Sequence, residues 1–221
     1  MLSIIGNWGN PIGPDKHRSI VQSVVERFKY RCVYCSFRSV ATPNNPFGRL
    51  HVCSAEKGMT LEAKNCIPLC DMCVNLNSLE ALENEGKPVG FFIELPWLKQ
   101  SDLTSLVRTA YAYNFLADQQ ENREILHNTA YHQAVAKLLH ELRSRQPKDW
   151  LKHGFDGKVS TLIEILKDYK GYQEDLGGTI YLDRLRFLFS EESFADSIGY
   201  WSTLLKPSII EKVSEGDKLS A

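Results

Sequence analysis

No stretch of this chain comes near the roughly 18 consecutive apolar residues that a membrane-spanning helix requires, which argues against a bilayer span. A basic surplus is also missing: 26 lysines and arginines face 27 aspartates and glutamates, for a formal net charge of -1. Proteins dedicated to nucleic acid usually carry a basic excess, because neutralising phosphates supplies most of their non-specific affinity. The balance argues against nucleic acid as the main partner, although a local patch can hide inside a neutral total. There is no glycine-rich phosphate loop, no serine nucleophile elbow, no internal repeat and no low-complexity tract. The first residues, Met1 to Trp8, lack a positively charged region, and their apolar run is too short for a signal peptide. The expected compartment is a reducing cytosol, where paired cysteines bind metal more often than they form disulfides.

What is present is the material of a core. Apolar residues make up 43% of the 221, with ten phenylalanines and four tryptophans, so the chain is expected to fold. All six cysteines fall between residues 32 and 73. Cys32-Val33-Tyr34-Cys35 opens this stretch, Cys70-Asp71-Met72-Cys73 closes it, and His51, Cys53, Asn65 and Cys66 lie between. Two cysteines three apart on a tight turn can both aim thiolates at one ion, and two such turns complete a tetrahedron with no open position. The spacing therefore predicts one structural zinc ion held by Cys32, Cys35, Cys70 and Cys73. Structural disulfides are the alternative reading. Cys53 and Cys66 are expected as small buried hydrophobes flanking the site; a different ligand set would exchange one of them in.

Read in order, glycines and prolines make residues 1–15 an irregular lead. Helical spacing of Ile20, Val21, Val24, Val25 and Phe28 predicts a helix over about 15–29. Arg49 to Cys53 suits a short strand, and Asp71 to Leu82 a helix. Residues 16–85 thus read as a zinc-bound module of strand, turn, second short strand and helix. Residues 86–207 follow as a strand, Val89–Leu95, and a helical region: about 101–118, Ile125–Leu142, Val159–Tyr169, Tyr181–Phe189, and Phe194–Leu205 with Pro207 as its stop. Residues 208–221 are expected to be a flexible tail. The fold class is α+β, mostly helical. His127, His132 and His140 read as solvated helix residues.

The cysteine spacing, with His51 and Asn65 placed before Cys70, resembles the HNH (ββα-metal) nucleases braced by two Cys-x-x-Cys pairs. The resemblance implies that His51 stands where the general base activates water and that Asn65 orients it through the loop. It fails where chemistry needs an ion. The position before His51 carries Leu50 and the one after Cys73 carries Val74, where that family has metal-binding residues. Phosphodiester hydrolysis needs a divalent ion on the leaving oxygen. Neither Asn75 nor Glu56 occupies a matching position.

A closer resemblance rests on three stretches: the helix from Arg18-Ser19-Ile20-Val21-Gln22 to Cys35, the run Asn65-Cys66-Ile67-Pro68-Leu69-Cys70, and Gly90-Phe91-Phe92-Ile93-Glu94-Leu95-Pro96-Trp97-Leu98-Lys99-Gln100-Ser101-Asp102-Leu103. In this order they resemble the IcmJ (DotN) family of type IVB secretion and conjugation systems, over roughly residues 16–120. The resemblance implies a zinc-stabilised HNH-like fold without nuclease activity. It also implies a subunit docked on the C-terminal tail of a DotL-like type IV coupling ATPase, with a DotM-like subunit and IcmS–IcmW-type adaptors nearby. The expected location is cytoplasmic, peripheral at the inner membrane through that complex. Apolar and aromatic residues such as Phe91, Trp97, Tyr111, Trp150 and Trp201 could anchor a partner, although most of them are expected in the core. A metal-dependent HNH endonuclease and a zinc-knuckle nucleic-acid-binding module stand as alternatives.

Overall fold

The computed structural model describes residues 8–86, 89–145, 155–169 and 184–219. The protein is α+β and mostly helical. It divides into two compact units, Met1–Gly86 with Lys99–Ser105, and Lys87–Leu98 with Leu106–Ala221.

The first unit starts with α1, Arg18–Arg27, which buries Val21, Val24 and Val25 on one side. Each such burial contributes about 1.5–3 kcal/mol. Lys29 and Tyr30, both at positive φ (52° and 55°), turn the chain out of the helix toward Cys32. Strands β1 (Leu50–Ser54) and β2 (Cys66–Cys70) pair antiparallel, from Leu50 opposite Cys70 to Ser54 opposite Cys66. Helix α2 (Asp71–Asn75) follows β2 without a gap, and α3 (Leu79–Asn84) comes after a break at Leu76–Ser78. The sequence predicts one helix from Asp71 to Leu82; the structure has two short ones.

The lead segment is not loose where it is described. Gly9 N–H donates to the Ser54 carbonyl (3.0 Å) and Ile12 N–H to that of Val52 (2.8 Å), so it lies along the outer edge of β1. Trp8 is buried, meets Tyr34 edge-on at 5.6 Å, and its carbonyl accepts from the Asn77 amide at 2.7 Å. Residues 1–7 lie outside the described residues.

The second unit is built on a second antiparallel pair, β3 (Gly90–Glu94) with β4 (Leu185–Phe189). Gly90 has φ 131°, and a Cβ there would stand 2.2 Å from the Leu188 carbonyl oxygen, so the pairing requires glycine. The outer edge of β3 is satisfied by loop carbonyls: Phe92 N–H donates to Gly157 (2.7 Å) and Glu94 N–H to Arg145 (3.0 Å). Around the pair lie α4 (Gln100–Asp118), α5 (Gln120–Leu126), α6 (Ala130–Ser144), α7 (Val159–Tyr169) and α8 (Ala195–Leu219). The first turn of α4 belongs to the first unit. Phe92 packs edge-on against Phe187 at 5.0 Å, and the buried Tyr111 hydroxyl donates to the Phe189 carbonyl at 2.6 Å.

Three expectations are corrected here. Leu185–Phe189 is a strand and not helix, because its backbone groups find β3, a partner far away in sequence; Tyr181 to Asp183 lie outside the described residues. The helix expected over Ile125–Leu142 is interrupted at His127–Thr129, where extended Thr129 caps α6 by accepting the His132 N–H on its hydroxyl (3.1 Å). Finally, α8 runs through Pro207 to Leu219, so the stop and the tail expected from residue 208 are replaced by helix.

Candidate metal centre

The first cysteine pair sits in a tight turn closed by its own backbone. Cys32 N–H donates to the Phe37 carbonyl (2.9 Å), Ser36 N–H to that of Cys32 (2.9 Å), and Ser39 N–H to that of Tyr30 (2.8 Å). Val33 N–H donates to the Pro68 carbonyl at 3.0 Å, which fastens this turn to β2. The second pair lies at the end of that strand: Cys70 is its last residue and caps α2, and Cys73 follows one turn later inside the helix.

The sulfur atoms of Cys32, Cys35, Cys70 and Cys73 all lie within 4.8 Å of one another, and all four residues are buried. Cys35 and Cys70 are 3.6 Å apart. That is far beyond a disulfide, about 2.05 Å, and all six cysteines are free. It matches the roughly 3.8 Å edge of a tetrahedron with metal–sulfur distances of about 2.3 Å. The donor set thus fits a metal ion with no open position. Burial, with the hydrogen bonds that its S–H donates to the other three thiols, holds Cys73 well above its ordinary pKa. At Cys32 the contact with Cys35 pushes upward, but hydrogen bonds from Cys70 and Cys73 outweigh it and leave the thiol below its ordinary value. Four thiols cannot all ionise in this dry space without a cation among them.

Cys53 and Cys66 stand outside the cluster. Both are buried. Burial, with Cys66 adding to it, pushes the Cys53 thiol up to about 12. Burial also raises Cys66, against the opposing charge of Arg27. Such thiols are poor nucleophiles, and neither belongs to the group of converging sulfurs.

His51 lies in β1, half-exposed, with Nε2 2.7 Å from Oδ1 of Asp71. Asn65 does not reach it. Its amide donates to Thr60, at 3.2 Å to the carbonyl and 3.1 Å to the hydroxyl, and so braces the β1–β2 loop. The partner of His51 is therefore Asp71, a residue that the sequence reading passed over. The register sets this up: His51 stands opposite Leu69, so Asp71, two residues on, lies diagonally across the hairpin's end. Leu50 and Val74 are buried, at 8% and 6% exposure, and offer no donor. Among the described residues the four cysteines form the sole group of three or more such donors close enough to share an ion.

Of the anchor residues, Tyr111 and Trp201 are buried in the core, Trp97 is 67% exposed under the guanidinium of Arg145 (4.7 Å), and Trp150 lies outside the described residues. His140 is exposed on α6, whereas His127 and His132 stack on each other at 4.4 Å. Burial, then the neighbouring His127, holds His132 below its ordinary pKa, with Asp118 opposing.

Fold and site together define the class: a mostly helical α+β protein with a ββα unit whose four buried thiols can hold a metal ion. No protein-family model and no curated protein matches the chain.

Proposed function

We propose that the four-cysteine cluster holds one structural zinc ion. The chain then serves as a non-enzymatic subunit of a type IVB secretion or conjugation coupling complex. It docks on the C-terminal tail of a DotL-like coupling ATPase, beside a DotM-like subunit and IcmS–IcmW-type adaptors, and helps to recruit substrates. In this reading it is cytoplasmic and reaches the inner membrane through that complex.

One observation carries the reading: four buried thiols converge on one point, while Leu50 and Val74, the positions where a catalytic ion would need ligands, are buried and offer no donor. Zinc bound by four thiolates has no position for water and stabilises folding instead of chemistry. The ββα order and the following strand, Leu-Pro turn and helix support the family resemblance. Calorimetry and pull-down with the tail of the coupling ATPase test the function. Saturable binding is expected, and no binding by either method sinks the proposal.

The His51–Asp71 pair favours a second reading, because a carboxylate that orients imidazole is how a general base is held. Magnesium- or manganese-dependent nicking of plasmid DNA, lost in His51→Ala, would establish that reading in place of the first.

A further inference from the structure

Charge is unevenly distributed along this neutral chain. Between residues 16 and 49 there are seven lysines and arginines and one acid, Glu26, which is engaged with Gln22. Three of the seven, Lys29, Arg31 and Arg38, sit on the hairpin that closes the first cysteine turn. Burial alternates there: Phe37 and Ser39 point inward, while Arg38 and Val40 are exposed, as are Lys29, Arg31 and Val33 on the way in.

Arg31 and Arg38 form an antiparallel bridge. The hydrogen bonds on either side of it, Cys32 to Phe37 and Ser39 to Tyr30, make it a pair of the non-hydrogen-bonded kind. In such pairs the Cα atoms stand about 4.5 Å apart and the side chains run close together. Like charges directly opposite oppose folding. Among the described residues neither guanidinium, nor Lys29, is paired with a carboxylate. An external anion would relieve this repulsion.

The apolar residues beside these cations narrow the choice of anion. Val33 and Val40 are each 47% exposed, and the other large exposed apolar residues of this unit, Met59 and Leu61, are also aliphatic. Single-stranded nucleic acid is held by aromatic stacking platforms, and none of these exposed apolar residues is aromatic. Small aliphatic tips ringed by cations suit the interface of an anionic bilayer, where the valines enter the headgroup boundary and the cations meet phosphate.

We propose that this hairpin is a contact site for anionic phospholipid, made by Lys29, Arg31 and Arg38 with Val33 and Val40. The site goes beyond the docking reading, since it needs no partner protein. The test is co-sedimentation of the zinc-loaded full chain with vesicles of phosphatidylglycerol and phosphatidylethanolamine, against vesicles of phosphatidylcholine alone.

Salt-sensitive binding to the anionic vesicles alone is expected. Removing two cations in Arg31→Ser/Arg38→Ser should weaken it about thirtyfold. Arg31→Lys/Arg38→Lys should keep it. Val33→Ser/Val40→Ser should weaken it without changing its salt dependence. Because Arg31 adjoins Cys32, Lys29→Asn/Arg38→Ser serves as the second variant, with zinc content as the check on folding, and it should lose binding to the same degree. Equal sedimentation with both vesicle types overturns the proposal, as does undiminished binding by the folded variants. A gel shift of duplex DNA that depends on these arginines, without vesicle binding, assigns the face to nucleic acid instead. Failure here leaves the ATPase-tail test untouched, because the vesicles contain no protein.

Discussion

Cysteines of one chemical kind do two different jobs here, and the difference lies in what surrounds each thiol. Cys32, Cys35, Cys70 and Cys73 converge on one point, whereas Cys53 and Cys66 are buried without joining them. Under the zinc reading, Cys70→Ser should abolish stoichiometric zinc and unfold the module, since ion binding at such sites supplies on the order of 10 kcal/mol of folding free energy. Cys53→Ala and Cys66→Ala should keep the metal and lose only packing. Metal analysis and thermal melting of the three variants decide it; zinc lost from Cys53→Ala or Cys66→Ala would mean a different ligand set. The spacing of the two pairs made these four residues legible in the sequence. The His51–Asp71 pair was not read there, because it depends on strand register and not on a motif.

Elements with local signals came through: α1, β1, β3, α4 and α7 lie close to where periodicity and punctuation place them. The misses fall where a distant partner or a single cap overrides propensity. At Leu185–Phe189 an aromatic run that reads as helix becomes strand by pairing with β3. At Thr129 one hydroxyl bond to the His132 N–H ends the expected continuous helix and starts α6. Thr129→Ala removes that cap, and the same hydroxyl's bond to the Leu126 carbonyl (2.8 Å). It should cost about 1 kcal/mol, up to ~2, in chemical denaturation. No change would show that α6 starts without it. Pro207 is the opposite case: α8 continues past it although proline removes a backbone donor.

Across the whole molecule the candidate metal site belongs to one unit. All four candidate ligands lie in the unit containing Met1–Gly86, and the β3–β4 pair with most of the helical mass lies in the other. Chelation should therefore act unevenly. Hydrogen exchange with a zinc chelator is expected to lose amide protection in β1, β2 and α2 while β3, β4 and α6 keep theirs. Uniform loss would assign the ion a role in both units, and no loss would remove it from folding altogether.

The sequence by itself determined the four thiols, the mostly helical α+β class and the amphipathic helices, because each rests on spacing within a few residues or on composition. Only the tertiary structure decided that Leu185–Phe189 is a strand, that Asp71 holds His51, and that Arg31 faces Arg38. Those depend on register and on backbone partners remote in sequence, which no local pattern encodes. The knuckle was visible in the order of the residues; its charged outer face emerged only when the hairpin closed.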